Sequence, residues 1–121
     1  MLLEKTSGAM RKMCDHLFDF VEQMTGEQPR PLRTGGWYRA ATGKRAFLYL
    51  RLVGNRGSVY PPNSIHLTAR WDDRFIGDGV SQKNHWYSSQ SSADFSARSD
   101  HPEDVDRAED FIRLAFQLLN D

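Results

Sequence analysis

Arg45-Ala46-Phe47-Leu48-Tyr49-Leu50-Arg51-Leu52-Val53 decides how this chain is built. Leu48, Leu50 and Leu52 recur at every second position, and Phe47, Tyr49, Arg51 and Val53 fall between them. A period of two belongs to a strand with one face on a core. The leucines are therefore expected inward and the other four side chains outward. Immediately upstream, Trp37 to Ala41 forms a second short run, and Thr42-Gly43-Lys44 between the two suits a hairpin with glycine at the turn. Downstream, Ile65, Leu67, Ala69 and Trp71 alternate with His66, Thr68 and Arg70, and Ala93, Phe95 and Ala97 alternate with Asp94, Ser96 and Arg98. Both patterns are those of half-buried antiparallel strands. The turn-rich segment from Val53 to Ser64, with Gly54-Asn55-Arg56-Gly57 and Tyr60-Pro61-Pro62-Asn63, is expected as a protruding loop. Phe75 to Asn84 is expected to be irregular, leading into His85-Trp86-Tyr87.

Helices flank this β-rich middle. Met10, Met13, Cys14, Leu17, Phe20, Val21 and Met24 recur at intervals of three and four, which predicts an amphipathic helix from Ser7 to Thr25. Thr6 or Ser7 is expected to cap its start and Gly26 to end it. Pro29-Arg30-Pro31 then holds the chain extended. Asp100-His101-Pro102-Glu103 reads as a helix start in which Asp100 caps and Glu103 answers three residues on. Val105, Ala108, Phe111, Ile112, Ala115, Leu118 and Leu119 supply the apolar stripe that follows. The 121 residues are enough for one core, so the expectation is a single α+β domain spanning 1–121. It comprises an antiparallel sheet of four to five strands, with the N- and C-terminal helices packed on one face. The opposite face, carrying Tyr49, Arg51, His66, Thr68 and Arg70, is left open.

Charge is sorted along the chain although the formal net charge is zero. Between Gln28 and Trp71 stand Arg30, Arg33, Arg39, Lys44, Arg45, Arg51, Arg56 and Arg70 without one Asp or Glu. From Asp94 onward the acids outnumber Arg98, Arg107 and Arg113. A neutral chain does not coat nucleic acid through bulk electrostatics, so anion binding has to come from the local basic stretch. The single cysteine, Cys14, lies on an apolar helical stripe and is expected as a buried thiol in a reducing compartment. With no membrane-length apolar run and no basic-then-apolar start, the expected location is cytoplasmic and no membrane partner is expected.

Gly43-Lys44 followed by Phe47 on an apolar strand, His85-Trp86 after a loop, and a terminal helix from Asp104 to Phe116 bearing Phe111-Ile112 and Ala115-Phe116 together resemble the layout of the small bacterial MmcQ/YjbR-like domains and related uncharacterised α+β modules. The resemblance implies a frataxin-like sandwich of two helices on one sheet, with the DNA binding that has been proposed for that family. The chain departs from the pattern in its bulky loop from Gly54 to Asn63. It departs also in Ala115-Phe116, where those domains tend to carry a small residue and tyrosine.

Weighed residue by residue, catalysis has little to stand on. No Gly-x-Ser-x-Gly turn, phosphate-binding loop, dinucleotide fingerprint or Cys-x-x-Cys pair occurs, and the serines from Ser88 to Ser99 read as a polar edge. His66, His85 and His101 lack the spacing of a zinc motif relative to each other and to Asp72, Asp73 or Asp78, so no metal and no cofactor are expected. The chain reads as non-enzymatic. The candidate contacts to nucleic acid or another anionic partner are Arg39, Lys44, Arg45, Arg51, Arg56 and Arg70, with His66 beside them and Tyr49 and Trp86 available to stack; Trp37 and Tyr38 are further stacking candidates. The alternative is a protein-interaction module or a homodimer, pairing the basic stretch with the acidic C-terminal region of a second copy.

Overall fold

The computed structural model describes residues 8–54, 56, 59–75, 77, 79–86 and 90–120, without the side chains of 84–86, 90 and 120. Helix α1 (Gly8–Thr25) leads into strands β1 (Arg30–Pro31), β2 (Trp37–Thr42), β3 (Arg45–Val53), β4 (Ser64–Arg70), β5 (Ser81–Trp86) and β6 (Gln90–Arg98), and helix α2 (Pro102–Gln117) follows. All neighbours pair antiparallel in the order β1-β2-β3-β4-β6-β5. The α+β class with flanking helices is as expected, but the sheet has six strands rather than four or five. The two marginal strands carry the weakest sequence signal. β1 is only two residues long, and β5 reads Ser-Gln-Lys-Asn-His-Trp, whose first three side chains are exposed and carry no alternating apolar signal.

Met10, Met13, Cys14, Leu17 and Val21 form the buried stripe of α1, and Ala108, Phe111, Ile112 and Ala115 that of α2. They close on Leu48, Leu50 and Leu52 of β3, Ile65, Leu67 and Ala69 of β4, and Ala93, Phe95 and Ala97 of β6. Burying a leucine-sized side chain fully stabilises by about 1.5–3 kcal/mol, so this one-sided layer dominates the stability. Gly26 ends α1 as expected: at φ +82° it donates its amide to the Glu22 carbonyl at 2.7 Å. The Thr6 or Ser7 cap lies outside the described residues.

Two local expectations are corrected. Phe47 does not point outward with Tyr49. Ala40 pairs with Leu48 and Ala41 with Ala46, so Phe47 is the extra residue of a β-bulge, and rephasing the strand there sends its ring to the helix side. It meets Phe116 edge-on with ring centroids 5.3 Å apart. Asp100 does not cap α2. His101 occupies the cap position with Pro102 behind it, and Asp100 instead lies 2.6 Å from the His101 Nδ1. At the base of the loop between β3 and β4 the Asn63 amide meets the Gly54 carbonyl at 2.9 Å, and Tyr60 lies over the sheet, while Arg56 and Val59 are exposed.

Candidate nucleic-acid interface

Antiparallel register turns the strand sequences into a grid on the face away from the helices. Trp37 sits opposite Arg51, Arg51 opposite His66, and His66 opposite Ser96. The adjacent row runs Arg39, Tyr49, Thr68, Asp94 and Ser81. Arg70, Ser92 and Lys83 make a third. Strands roughly 4.8 Å apart carry the middle row across about 19 Å.

The floor of this face is a buried polar network. The Arg98 amide donates to the Asp104 carboxylate and the Ser99 amide to the Asn63 carbonyl. Even-numbered residues of β6 therefore direct their amides away from β4, which makes His66 and Ser96 a non-hydrogen-bonded pair with close side chains. The His66 Nδ1 stands 3.0 Å from Ser96 Oγ and its Nε2 2.8 Å from Asp94 Oδ1, while Ser92 Oγ donates to Asp94 Oδ2 at 2.6 Å. Burial acts to raise the Asp94 pKa, but hydrogen bonds from His66, Ser92 and Thr68 outweigh it and hold the carboxyl below its ordinary value. Because a carboxylate only accepts, Nε2 donates, and in the neutral ring Nδ1 accepts from the Ser96 hydroxyl. Ser96, His66 and Asp94 thus stand in the order of a hydrolytic relay. Yet Tyr60 lies flat on the imidazole, ring centroids 3.9 Å apart at 18°, and His66 is only 3% exposed. Tyr60 thus clamps the imidazole, and the trio forms a rigid floor whose half-buried member is Ser96.

Above the floor are cations and rings. The Arg51 guanidinium lies 5.8 Å from the Trp37 ring centre and 5.7 Å from that of Tyr60, and the Lys83 ammonium 5.7 Å from Tyr60 on its own strand side. Such contacts hold long side chains over aromatic faces for about 0.5–1 kcal/mol each. Arg39 reaches the Lys44 carbonyl at 3.0 Å, and Arg70 is exposed at the end of β4. Among the described residues, none of Arg39, Arg51, Arg70 and Lys83 forms an ion pair with a carboxylate, and Asp94 is the sole carboxylate of the strands on this face. The acids of α2 that reach solvent, Glu103, Asp106 and Asp110, belong to the helix layer on the opposite side.

No known protein family, curated protein or solved structure matches this chain. The face therefore has to be read from its own chemistry.

Of the residues singled out from sequence, Arg39, Tyr49, Arg51 and Arg70 come together with Trp37 on one wall. His66 shares the wall but lies beneath Tyr60 instead of being open to solvent. Arg45 leaves it, donating to the Leu119 carbonyl at 2.6 Å beyond α2, where a cation meets the negative end of a helix. Lys44 occupies the exposed hairpin turn and Arg56 the exposed loop. Tyr38 faces the helices and meets Phe18 edge-on at 5.0 Å. The side chains of His85 and Trp86 lie outside the described residues. Sequence alone does not mark Tyr60, Lys83, Ser92, Asp94 and Ser96 as site residues; the alternation of Asp94 and Ser96 with Ala93 and Phe95 is the one signal that places two of them on this face. Cys14 is 1% exposed, and burial, assisted by Asp15, pushes its thiol up to about 12, which leaves it inert. Among the described residues no group of three His, Cys, Asp or Glu side chains is placed to hold a metal ion, and no helix is long and apolar enough to cross a membrane.

Proposed function

We propose that the chain is a non-enzymatic module that binds single-stranded nucleic acid on its helix-free sheet face. One observation carries the reading: Arg39, Arg51 and Arg70, without carboxylate partners among the described residues, share a wall with the half-exposed rings of Trp37, Tyr49 and Tyr60. Phosphates neutralise guanidinium groups irrespective of sequence, and bases stack on aromatic rings for about 1–3 kcal/mol each. A sheet platform offers both only to bases that are not already stacked in a duplex. The DNA binding implied by the resemblance to MmcQ/YjbR-like domains points the same way.

Pairing of the basic wall with the acidic surface of α2 in a second copy fits less well. Those surfaces lie on opposite layers of the sandwich, so a two-fold dimer cannot engage both pairs, and the contact is head-to-tail.

Fluorescence anisotropy with labelled single-stranded DNA, single-stranded RNA and duplex DNA at two salt concentrations tests the proposal. Three phosphate contacts on a single strand give a slope of log affinity against log salt of about −2. Arg51→Glu with Arg70→Glu is expected to weaken binding at least 100-fold, at about 1.5–3 kcal/mol per charge-assisted contact. Absence of binding at low salt refutes the proposal, and unchanged affinity of the double variant refutes the choice of face.

A further inference from the structure

β6 outruns its edge partner. Ser81 pairs with Asp94, and Phe95, Ser96, Ala97 and Arg98 continue with no β5 residue beside them. A cavity of about 330 Å³ fills this notch, bounded by Tyr60 and Pro61 of the loop, Ser81 and Lys83 of β5, Ser96 and Arg98 of β6, and Asp104 and Arg107 of α2. Its charge is lopsided. Three cations line it, Lys83, Arg98 and Arg107, against two carboxylates, Asp94 and Asp104, and both carboxylates are spent internally. Asp94 is 3% exposed and occupied by His66 and Ser92. Asp104, 1% exposed, accepts from the Arg98 amide at 3.0 Å and from the Arg98 Nε at 2.9 Å, and forms an ion pair with Arg107 at 3.7 Å. Burial works to raise the Asp104 pKa, and the Arg98 hydrogen bonds overcome it. The Arg98 and Arg107 side chains, 42% and 43% exposed, share that one carboxylate at 2.9 and 3.7 Å, so with Lys83 the lining keeps a surplus of one positive charge.

Neutral donors add to this. The Ser96 amide has the same parity as that of Arg98 and points to the same edge, beyond the last β5 pair. The hydroxyl of Ser81 is also in the lining, and the first turns of α2 bring the positive end of a helix to its wall. The volume suits a phosphate and an adjoining sugar, at the small end of ligand sites. Tyr60 and His66 belong both to the cavity and to the aromatic-cationic wall, so the two are continuous, and the cavity stops against α2.

Resting on the nucleic-acid reading of the face, we propose that this cavity takes a phosphate monoester, the terminal phosphate of a strand whose internal diesters lie on the wall. A monoester carries a second negative charge above about pH 6, which diesters lack, and a notch with surplus positive charge at the end of the wall selects for it.

The probes are a nucleoside 5′-monophosphate and the matching nucleoside, followed by backbone amide NMR and calorimetry, and oligonucleotides ending in 5′-phosphate, 3′-phosphate or hydroxyl. Expected are shifts at Ser81, Lys83 and Ser96 with the monophosphate and none with the nucleoside. One phosphorylated end should bind at least about tenfold more tightly than hydroxyl ends, and that preference should shrink between pH 7.5 and 5.5. Arg107→Ala, which leaves Arg98 on Asp104, should remove the preference without changing affinity for hydroxyl-ended strands. Arg51→Glu should weaken every oligonucleotide. Equal binding of all ends, with no monophosphate shifts, overturns the inference and leaves the face reading intact. Monophosphate shifts at these residues without any oligonucleotide binding uphold the monoester site and overturn the face reading. A preference that survives Arg107→Ala overturns the assignment to this cavity.

Discussion

Asp94→Ala tests the floor on which the wall rests. The carboxylate collects hydrogen bonds from His66 Nε2, Ser92 Oγ and Thr68 at a position 3% exposed. Deleting it leaves three buried donors without their acceptor, at roughly 1–3 kcal/mol each before relaxation. The Ser92 and Thr68 hydroxyls can turn to other acceptors, whereas the ring of His66 is clamped by Tyr60 at 3.9 Å. The net expectation is a loss of about 3–5 kcal/mol, the range for breaking a buried pair. Asp94→Asn should behave differently. If the amide oxygen takes the place of Oδ2 it keeps Ser92, and the amide nitrogen then faces His66. The imidazole can answer by moving its proton to Nδ1 and donating to Ser96, 3.0 Å away. That repair limits the cost to about 1–2 kcal/mol. At about 4 °C per kcal/mol for a domain of this size, melting temperatures should fall by roughly 12–20 °C for alanine and 4–8 °C for asparagine. Urea unfolding followed by tryptophan fluorescence supplies the free energies, and imidazole nitrogen shifts report the proton. If alanine costs less than about 1 kcal/mol, or asparagine as much as alanine, the account of the network is wrong.

Two further outcomes follow from the same geometry. Asp94 and Asp104 both have folded-state pKa values below their unfolded ones, so their stabilisation is complete above about pH 4 and is lost as pH falls from there through the lowered folded values; the urea midpoint should drop between pH 4 and 2.5, and a midpoint that stays level excludes the two carboxylates as acid-sensitive struts. Gly79 has φ +81°, and a Cβ there would stand 2.9 Å from the Phe95 ring, so Gly79→Ala should destabilise by at least about 1–2 kcal/mol; wild-type stability in calorimetry would show that the segment before β5 shifts freely.

How much of this was legible before the fold was known depended on whether a residue's neighbours are local. The leucine alternation in β3 and the three-four spacing in both helices report burial against a core, and burial leaves a period in the sequence. β5 leaves none, because its described side chains are exposed at a sheet margin. The bulge at Phe47 was invisible since an apolar residue suits either face, and only pairing with Ala40 and Ala41 shows the slip. The basic residues could be counted but not gathered. Arg39, Arg51 and Arg70 converge because β2, β3 and β4 are adjacent, whereas Arg45, from the same acid-free run, is drawn to the end of α2. The cavity was the least accessible, being made where β6 extends past β5 and meets α2.

A sheet with two free margins invites stacking into fibrils, and here each margin discourages a visitor. On one side β1 offers two residues, of which Pro31 has no amide hydrogen to give. On the other, β5 presents a lysine among polar side chains, and Asp104 plugs the amide of Arg98 just where a foreign strand would register. A binding partner is thus steered toward the broad flat surface instead of the seams, and the protein should stay dispersed at concentrations where an unguarded sheet would aggregate.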